Sequence, residues 1–301
     1  MKRFSITVLL LVLAGALVLS GCQPAAPADE PSAPAEGEGE DVPSFKMAIM
    51  TPLSGDVKTY GESVRDAAMM AIEEAQAKGW DIDLVIADTK GDAQEAVNAA
   101  NKVIFEDGVK LILGPVISST AIPVSTIANE AGVLMLTPTS TNPSATVNED
   151  GTVKVNVFRA CFMDDFQGLV VAKLAREELG AETAAVLYDV GNDYVKGLAE
   201  YFTAAFEDQG GQVLVSEAYT KDDTDFSAIL GKVANADVDV VFLPDYYNKV
   251  NLIANQIKEK GIDATLLGGD GWDSADLEFA LLEGGYHSNP VSYTHLTLPT
   301  N

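Results

Sequence analysis

Residues 109–120 read VKLILGPVISST. The first part is short and apolar on both faces, which is how a strand inside a parallel sheet reads. A Gly-Pro pair then breaks the run, three hydroxyl-bearing residues follow at Ser118, Ser119 and Thr120, and residues 120–131 continue with helical spacing. A strand that passes through a tight turn into a helix is the repeating unit of an α/β protein. Two readings of the hydroxyls stand side by side. Either Ser118 or Ser119 caps the helix, or the hydroxyls and the amides at the helix start hold an anion.

The same unit recurs on both sides of this stretch. Upstream, FKMAIM (residues 45–50) and IDLVIAD (residues 82–88) read as strands, and Val64, Ala67, Ala68, Ala71, Ile72 and Ala75 mark a helix between them. Ala93, Ala96, Val97, Ala100 and Ile104 mark the next helix, and GVLMLTP (residues 132–138) a fourth strand. After VKVNVFRA (residues 153–160) the alternation restarts, with helices predicted over 166–178, 194–208, 226–234 and 248–260 and strands over 183–188, 212–217, 238–244 and 264–269. The fold class is therefore α/β, with two doubly wound parallel-sheet lobes joined by a hinge. Lobe 1 is assigned to residues 45–159 and lobe 2 to 160–287, sizes that suit the usual ~100 to 200 residues per domain.

The ends read differently. Lys2 and Arg3 precede an apolar segment, residues 6–18, that is too short to span a bilayer comfortably. This is the form of a secretory signal, here residues 1–21. It closes on LSGC, which resembles the lipobox of bacterial lipoproteins and makes Cys22 the lipidated first residue of the mature chain. Residues 22–44, rich in Pro, Ala, Glu and Gly, form an acidic tether with little to bury. Several acyl chains on Cys22 would anchor it stably to the lipid bilayer, so the expected location is extracytoplasmic, in the periplasm or on the outer face of the cell membrane. Cys161 is the only other cysteine, which leaves no intrachain disulfide. At the far end VSYTHLTLPTN (residues 291–301) loses charge and periodicity and resembles a read-through tail. Residues 288–301 are assigned to that non-native tail, with the fold incomplete at its C-terminus.

Open parallel sheets bind ligands outside the carboxyl ends of their strands. In lobe 1 those positions hold Ser54, Ser118, Ser119 and Thr139 to Thr141, hydroxyls with almost no charge. A helix start beside them favours an anion. In lobe 2 they hold Asp245, Tyr246 and Tyr247 after one strand and Asp270 in the glycine-rich LLGGDGWDS after the next. A carboxylate among glycines and rings can take an ammonium group, although Asp270 reads equally well as a turn aspartate and Tyr246 alone as packing. Neutral donors on one side and an anion with aromatics on the other suit a small zwitterion.

At these residues the chain resembles the leucine/isoleucine/valine-binding protein family, the type I periplasmic solute-binding proteins of ABC importers. PLSGDVKTYG, GPVISSTAIPVSTIANEAGVLMLTPTSTNP, FRACFMDDFQG, DTDFSAIL, DYYNK and GGDGW carry the resemblance in order, from about Phe45 to Asn289. It implies that Ser118 and Thr141 hold the α-carboxylate of a small amino acid, and that the Thr139 carbonyl and Asp270 take its α-ammonium. By the same resemblance Tyr194 and Tyr246 are cleft tyrosines, Tyr60 lines the side-chain pocket, and the permease subunits of an ABC transporter are partners. The chain departs from the family in three places. Ile117 stands where some members have a cysteine, Asp270 stands where branched-chain binders typically have Glu, and members continue past this chain's end.

The net charge of −26 argues against nucleic acid and anionic headgroups as partners. No GxSxG, GxxxxGK or HExxH occurs, and the only histidines are His287 and His295. An enzyme is not expected, nor are a cofactor and a metal. The alternative is a lipid-anchored sensor that binds an amino acid or amide and signals to a membrane partner, since its cleft would look the same.

Overall fold

In the computed structural model, which describes residues 44–290, two five-stranded parallel sheets follow one another along the chain. The signal segment, Cys22, the tether up to residue 43 and residues 291–301 lie outside the described residues. The first sheet comprises β1 (Phe45–Thr51), β2 (Ile82–Asp88), β3 (Leu111–Leu113), β4 (Leu134–Thr137) and β5 (Val157–Arg159), in the order β2-β1-β3-β4-β5. Its helices are α1 (Lys58–Ala77), α2 (Ala93–Asn101) and α3 (Ser118–Glu130). The second sheet comprises β6 (Thr183–Asp189), β7 (Gln212–Tyr219), β8 (Val240–Phe242), β9 (Thr265–Gly268) and β10 (Tyr286–His287), in the order β10-β9-β8-β6-β7. With it go α4 (Asp164–Lys173), α5 (Asp193–Asp208), α6 (Ser227–Ala236) and α7 (Tyr247–Lys260).

The two sheets repeat one plan. In each, the first strand lies between the second and the third, so the chain reverses direction across the sheet at β1/β3 and again at β6/β8. A crevice opens at such a reversal, beyond the carboxyl ends of the strands. The central strands are apolar on both faces because helices cover both. Ala48, Ile49 and Met50 of β1 have no exposed surface, and Ala184 to Leu187 of β6 have almost none. One face of the second sheet packs on α4 and α5 through Val171, Leu198, Phe202, Phe206 and Phe242. The other packs on α6 and α7 through Leu230, Val233, Val250, Ile253 and Leu187. In the first sheet α1 covers the β1 side through Ala68 and Ile72, while Leu134 and Phe158, at the β4–β5 end, remain 44% and 52% exposed.

Within VKVNVFRA only the short β5 forms, and Lys154 turns inward to Ser125 and the Ser144 carbonyl. The structure differs from the sequence expectation at two places. β10 was not anticipated. Ser288, assigned to the tail, donates from its hydroxyl to Gln167 Oε1 at 2.6 Å and so packs into lobe 2.

Gly114 ends β3 with φ +109°, and a methyl group there would run into the Met50 carbonyl of the neighbouring strand. The turn that aims α3 therefore needs glycine. Gly114→Ala is expected to destabilise lobe 1 by roughly 1–3 kcal/mol, read as a lowered urea midpoint.

Candidate functional site

Between the lobes lies a cavity of ≈ 200 Å³ whose walls come from the carboxyl ends of β1, β3, β4, β6, β8 and β9. That is below the ~300–1,000 Å³ typical of drug-sized ligands, and it suits a small molecule. Lobe 1 supplies Tyr60, Val116, Ile117, Ser118, Thr139 and Thr141; lobe 2 supplies Tyr194, Tyr246, Asp270, Gly271 and Asp273, with Pro290 beside them. Of the eight site residues expected from sequence, seven meet here. Ser119 does not: it faces a separate polar cavity of ≈ 370 Å³, which Ile117 and Tyr246 divide from the first.

The helix-capping reading of the serines fails on geometry. Ile117 occupies the N-cap position of α3 and no side chain caps the helix. Ser118 is the first helical residue, and its hydroxyl instead receives the Ser140 hydroxyl at 3.2 Å and the Asn142 amide at 3.4 Å. The first amides of a helix have no intrahelical acceptor, so this end of the cavity is rich in donors. The loop after β4 is held by Arg159, whose Nη1 donates to the Ser140 and Asn142 carbonyls at 2.6 and 3.0 Å. Binding those carbonyls from behind fixes the loop that carries Thr139 and Thr141. Thr139 itself spends its hydroxyl on the Val116 carbonyl at 2.8 Å.

On the lobe 2 side, Asp270 follows β9 in a turn whose glycines let other groups close in. A methyl on Gly269 would sit 2.5 Å from the Tyr194 hydroxyl, and one on Gly271 would sit 2.9 Å from the Asp245 carbonyl. The Tyr194 hydroxyl donates to Asp270 Oδ1 at 2.9 Å and accepts from the Gly271 amide at 2.9 Å. Tyr194 is itself fixed by the Asn192 side chain, which caps α5, and by stacking on Tyr246 at 5.1 Å. Burial pushes the Asp270 carboxyl up to about 6, against the pull of the Tyr194 and Gln167 donors.

Asp245, also expected at the strand end, turns away. Its carboxylate accepts the Tyr219 hydroxyl at 2.5 Å and the Tyr246 amide at 2.7 Å on the far side of the dividing wall. Two residues were not singled out from sequence, Asp164 and Gln167. They lie within the FRACFMDDFQG motif, where acidic residues at a helix start read as ordinary first-turn charges. Both are fully buried.

The lobes touch directly. The Tyr60 hydroxyl of α1 donates to the Gly271 carbonyl, Thr59 and Ser274 share a hydrogen bond at 3.3 Å, and Asn142 Nδ2 donates to the Asp193 carbonyl at 2.8 Å. Val57, Val116 and Ile117 pack with Tyr60, Val64 and Tyr246 as a small apolar cluster across the junction.

The pattern of the periplasmic binding protein family matches residues 44–298. The chain belongs to that family. A Leu/Ile/Val-binding protein of Rhizobium johnstonii is 37% identical over 76% of this chain and 62% of its own length. The chain thus spans less than two thirds of that relative. The leucine-binding protein LivK of Thermotoga maritima superposes with a TM-score of 0.74 at 33% identity, over 84% of this chain and 74% of that one. LivJ of Streptococcus pneumoniae, a branched-chain amino acid transporter substrate-binding protein in complex with isoleucine, superposes with a TM-score of 0.69 at 29% identity, over 76% of this chain and 65% of that one. The expected likeness to the leucine/isoleucine/valine-binding proteins and the two-lobed α/β fold are both found. These relatives are named as binding proteins, not as enzymes.

In this periplasmic binding protein Asp164 adds a pH dependence. Burial pushes its carboxyl up to about 8, and the nearby Asp270 charge adds to the rise. Unfolded, the group ionises near its ordinary 3.8, so between the two values the folded state holds more protons and stability falls as pH rises. Asp164→Asn has no proton to lose. Its stability relative to wild type is expected to climb from about pH 4 to about pH 8, by at most ~1.4 kcal/mol per pH unit, as measured by urea denaturation at the two ends of that window.

Proposed function

We propose that this chain is the extracytoplasmic substrate-binding lipoprotein of an ABC importer, which takes a branched-chain or other aliphatic amino acid between its lobes and presents it to a permease. One observation carries the reading. A single small cavity is walled by uncharged donors and a helix start from lobe 1 and by the half-buried Asp270 carboxylate from lobe 2. Opposite ends of that kind complement a zwitterion.

In this reading Ser118, Thr141 and the first amides of α3 hold the α-carboxylate. The Thr139 carbonyl and Asp270 take the α-ammonium, and Tyr60, Val116, Ile117 and Tyr246 surround an aliphatic side chain. The ammonium would restore to Asp270 part of what burial removed, as a charge-assisted hydrogen bond in a site where water cannot compete. The neighbours' printed names support the class of ligand: leucine for the Thermotoga protein and isoleucine for the Streptococcus complex.

Closure follows from the same contacts. A ligand shifts an open-closed equilibrium only through interactions that one state has and the other lacks. Asp270 and Tyr246 on one lobe and Ser118 and Thr141 on the other meet a common ligand only when the lobes approach, as they do here with Tyr60 against Gly271. The closed form is then the one a permease would distinguish.

Ligand linkage raises the melting midpoint only for what binds. A thermal-shift panel of amino acids, amides and short peptides is expected to respond to L-leucine, L-isoleucine or L-valine. Asp270→Ala is expected to weaken that binding by about 3 kcal/mol or more, since it strands a buried ammonium. Unchanged calorimetric affinity would falsify the assignment of Asp270. Anchoring is tested separately: Cys22→Ser is expected to move the protein from the membrane fraction to the soluble extracytoplasmic fraction, and retention in the membrane removes the lipoprotein reading.

A further inference from the structure

Gln167, on α4, has no exposed surface and uses every hydrogen-bonding position it has. Its Nε2 donates to Asp270 Oδ1 at 3.0 Å and to Asp164 Oδ1 at 3.2 Å. Its Oε1 accepts from the Asp270 backbone amide at 3.1 Å and from the Ser288 hydroxyl at 2.6 Å. A primary amide offers two donor hydrogens and two acceptor sites, so this one is saturated. Its orientation is also forced: the flipped amide would aim its NH2 at the Asp270 N–H. Gln167 thus grips Asp270 twice, at the backbone and at one carboxylate oxygen. That oxygen, Oδ1, also receives the Tyr194 hydroxyl, whereas Oδ2 takes no side-chain donor from the described residues.

We infer that Gln167 is a positioning residue for ligand recognition: with Tyr194 it occupies Oδ1 of Asp270, keeps that carboxylate ionised, and leaves Oδ2 as the oxygen that meets the ligand's ammonium. This rests on the amino-acid reading above and extends it to a residue outside the cavity lining. The groups facing Asp270 make the point sharper. They are Asp164 on α4, Tyr194 on α5, Tyr246 between β8 and α7, Tyr60 on α1, Cys161 at the crossover and Asp273 in its own turn. No lysine or arginine is among them. A half-buried carboxylate with no cationic neighbour among the described residues depends on hydrogen-bond donors to stay charged, and Gln167 supplies one of the two side-chain donors at this site.

Gln167→Met keeps the length and bulk of the side chain and discards all four hydrogen bonds. In the ligand-free full chain, the Asp270 carboxyl titration followed by ¹³C NMR is expected to move up by about one pH unit or more, because loss of a donor favours the protonated form. Calorimetry with L-leucine is expected to show affinity down roughly tenfold near neutral pH, with the acid limb of the affinity profile displaced upward in step with the NMR midpoint. Gln167→Leu likewise removes both donors, in a slightly smaller side chain. It is expected to displace the midpoint as far, and it carries the same readings if the methionine variant does not fold. A midpoint unchanged from wild type overturns the inference, including the case in which the variant merely melts earlier. If wild type takes up no amino acid, the functional reading fails, and the NMR midpoint still decides the role of Gln167.

Discussion

A half-buried carboxylate with no lysine or arginine beside it among the described residues is the constraint around which the lobe 2 half of the cavity is arranged. Asp270 is held in that condition by a turn of glycines, a tyrosine hydroxyl and a glutamine amide. Each partner is in turn fixed by something else. Tyr194 is set by the capped start of α5 and by stacking on Tyr246, and Gln167 by Ser288 and Asp164. Burying an ion is tolerable only when its remaining hydrogen-bonding capacity is met. Here half of it is met by the protein, and the other half faces the cavity.

Lobe 1 solves the opposite problem with, among the described residues, no ionised group in the cavity wall. Its donors are hydroxyls and helix-start amides, and the Arg159 guanidinium is turned to the back of the loop, where it gathers carbonyls. The two solutions face each other because both sheets follow one topology, with their strand-order reversals directed at the same gap. Repetition of a plan thus becomes complementarity of charge, since equivalent strand ends carry different side chains in the two lobes.

Much of this was legible in the chain itself. Strands apolar on both faces and helices with one apolar stripe gave away the two doubly wound lobes, because parallel sheets covered on both sides leave little room for other patterns. Ser118, Thr139, Thr141, Tyr246 and Asp270 could be named because strand ends are where such sheets bind, while Tyr60 and Tyr194 came from the family resemblance. What could not be read was the direction of side chains whose neighbours are distant in sequence. Asp245 and Asp270 look alike as strand-end acids, yet Tyr219 claims the first and the cavity the second. Ser118 and Ser119 look alike as helix starters, yet the rotation of about 100° from one helical residue to the next sends them to different cavities. Gln167 reads as an ordinary helical glutamine until Asp270, far along the chain, is folded onto it.

The contact between Tyr60 and the Gly271 carbonyl carries a kinetic consequence. That carbonyl belongs to the residue next to Asp270, so whenever the lobes part, the phenol withdraws and solvent must take its place on the very turn that holds the anion. In the amino-acid reading proposed above, water would then enter beside Asp270. On that reading, escape from the cleft and separation of the lobes would share one wetting step, and residence time would belong to the hinge as much as to the pocket.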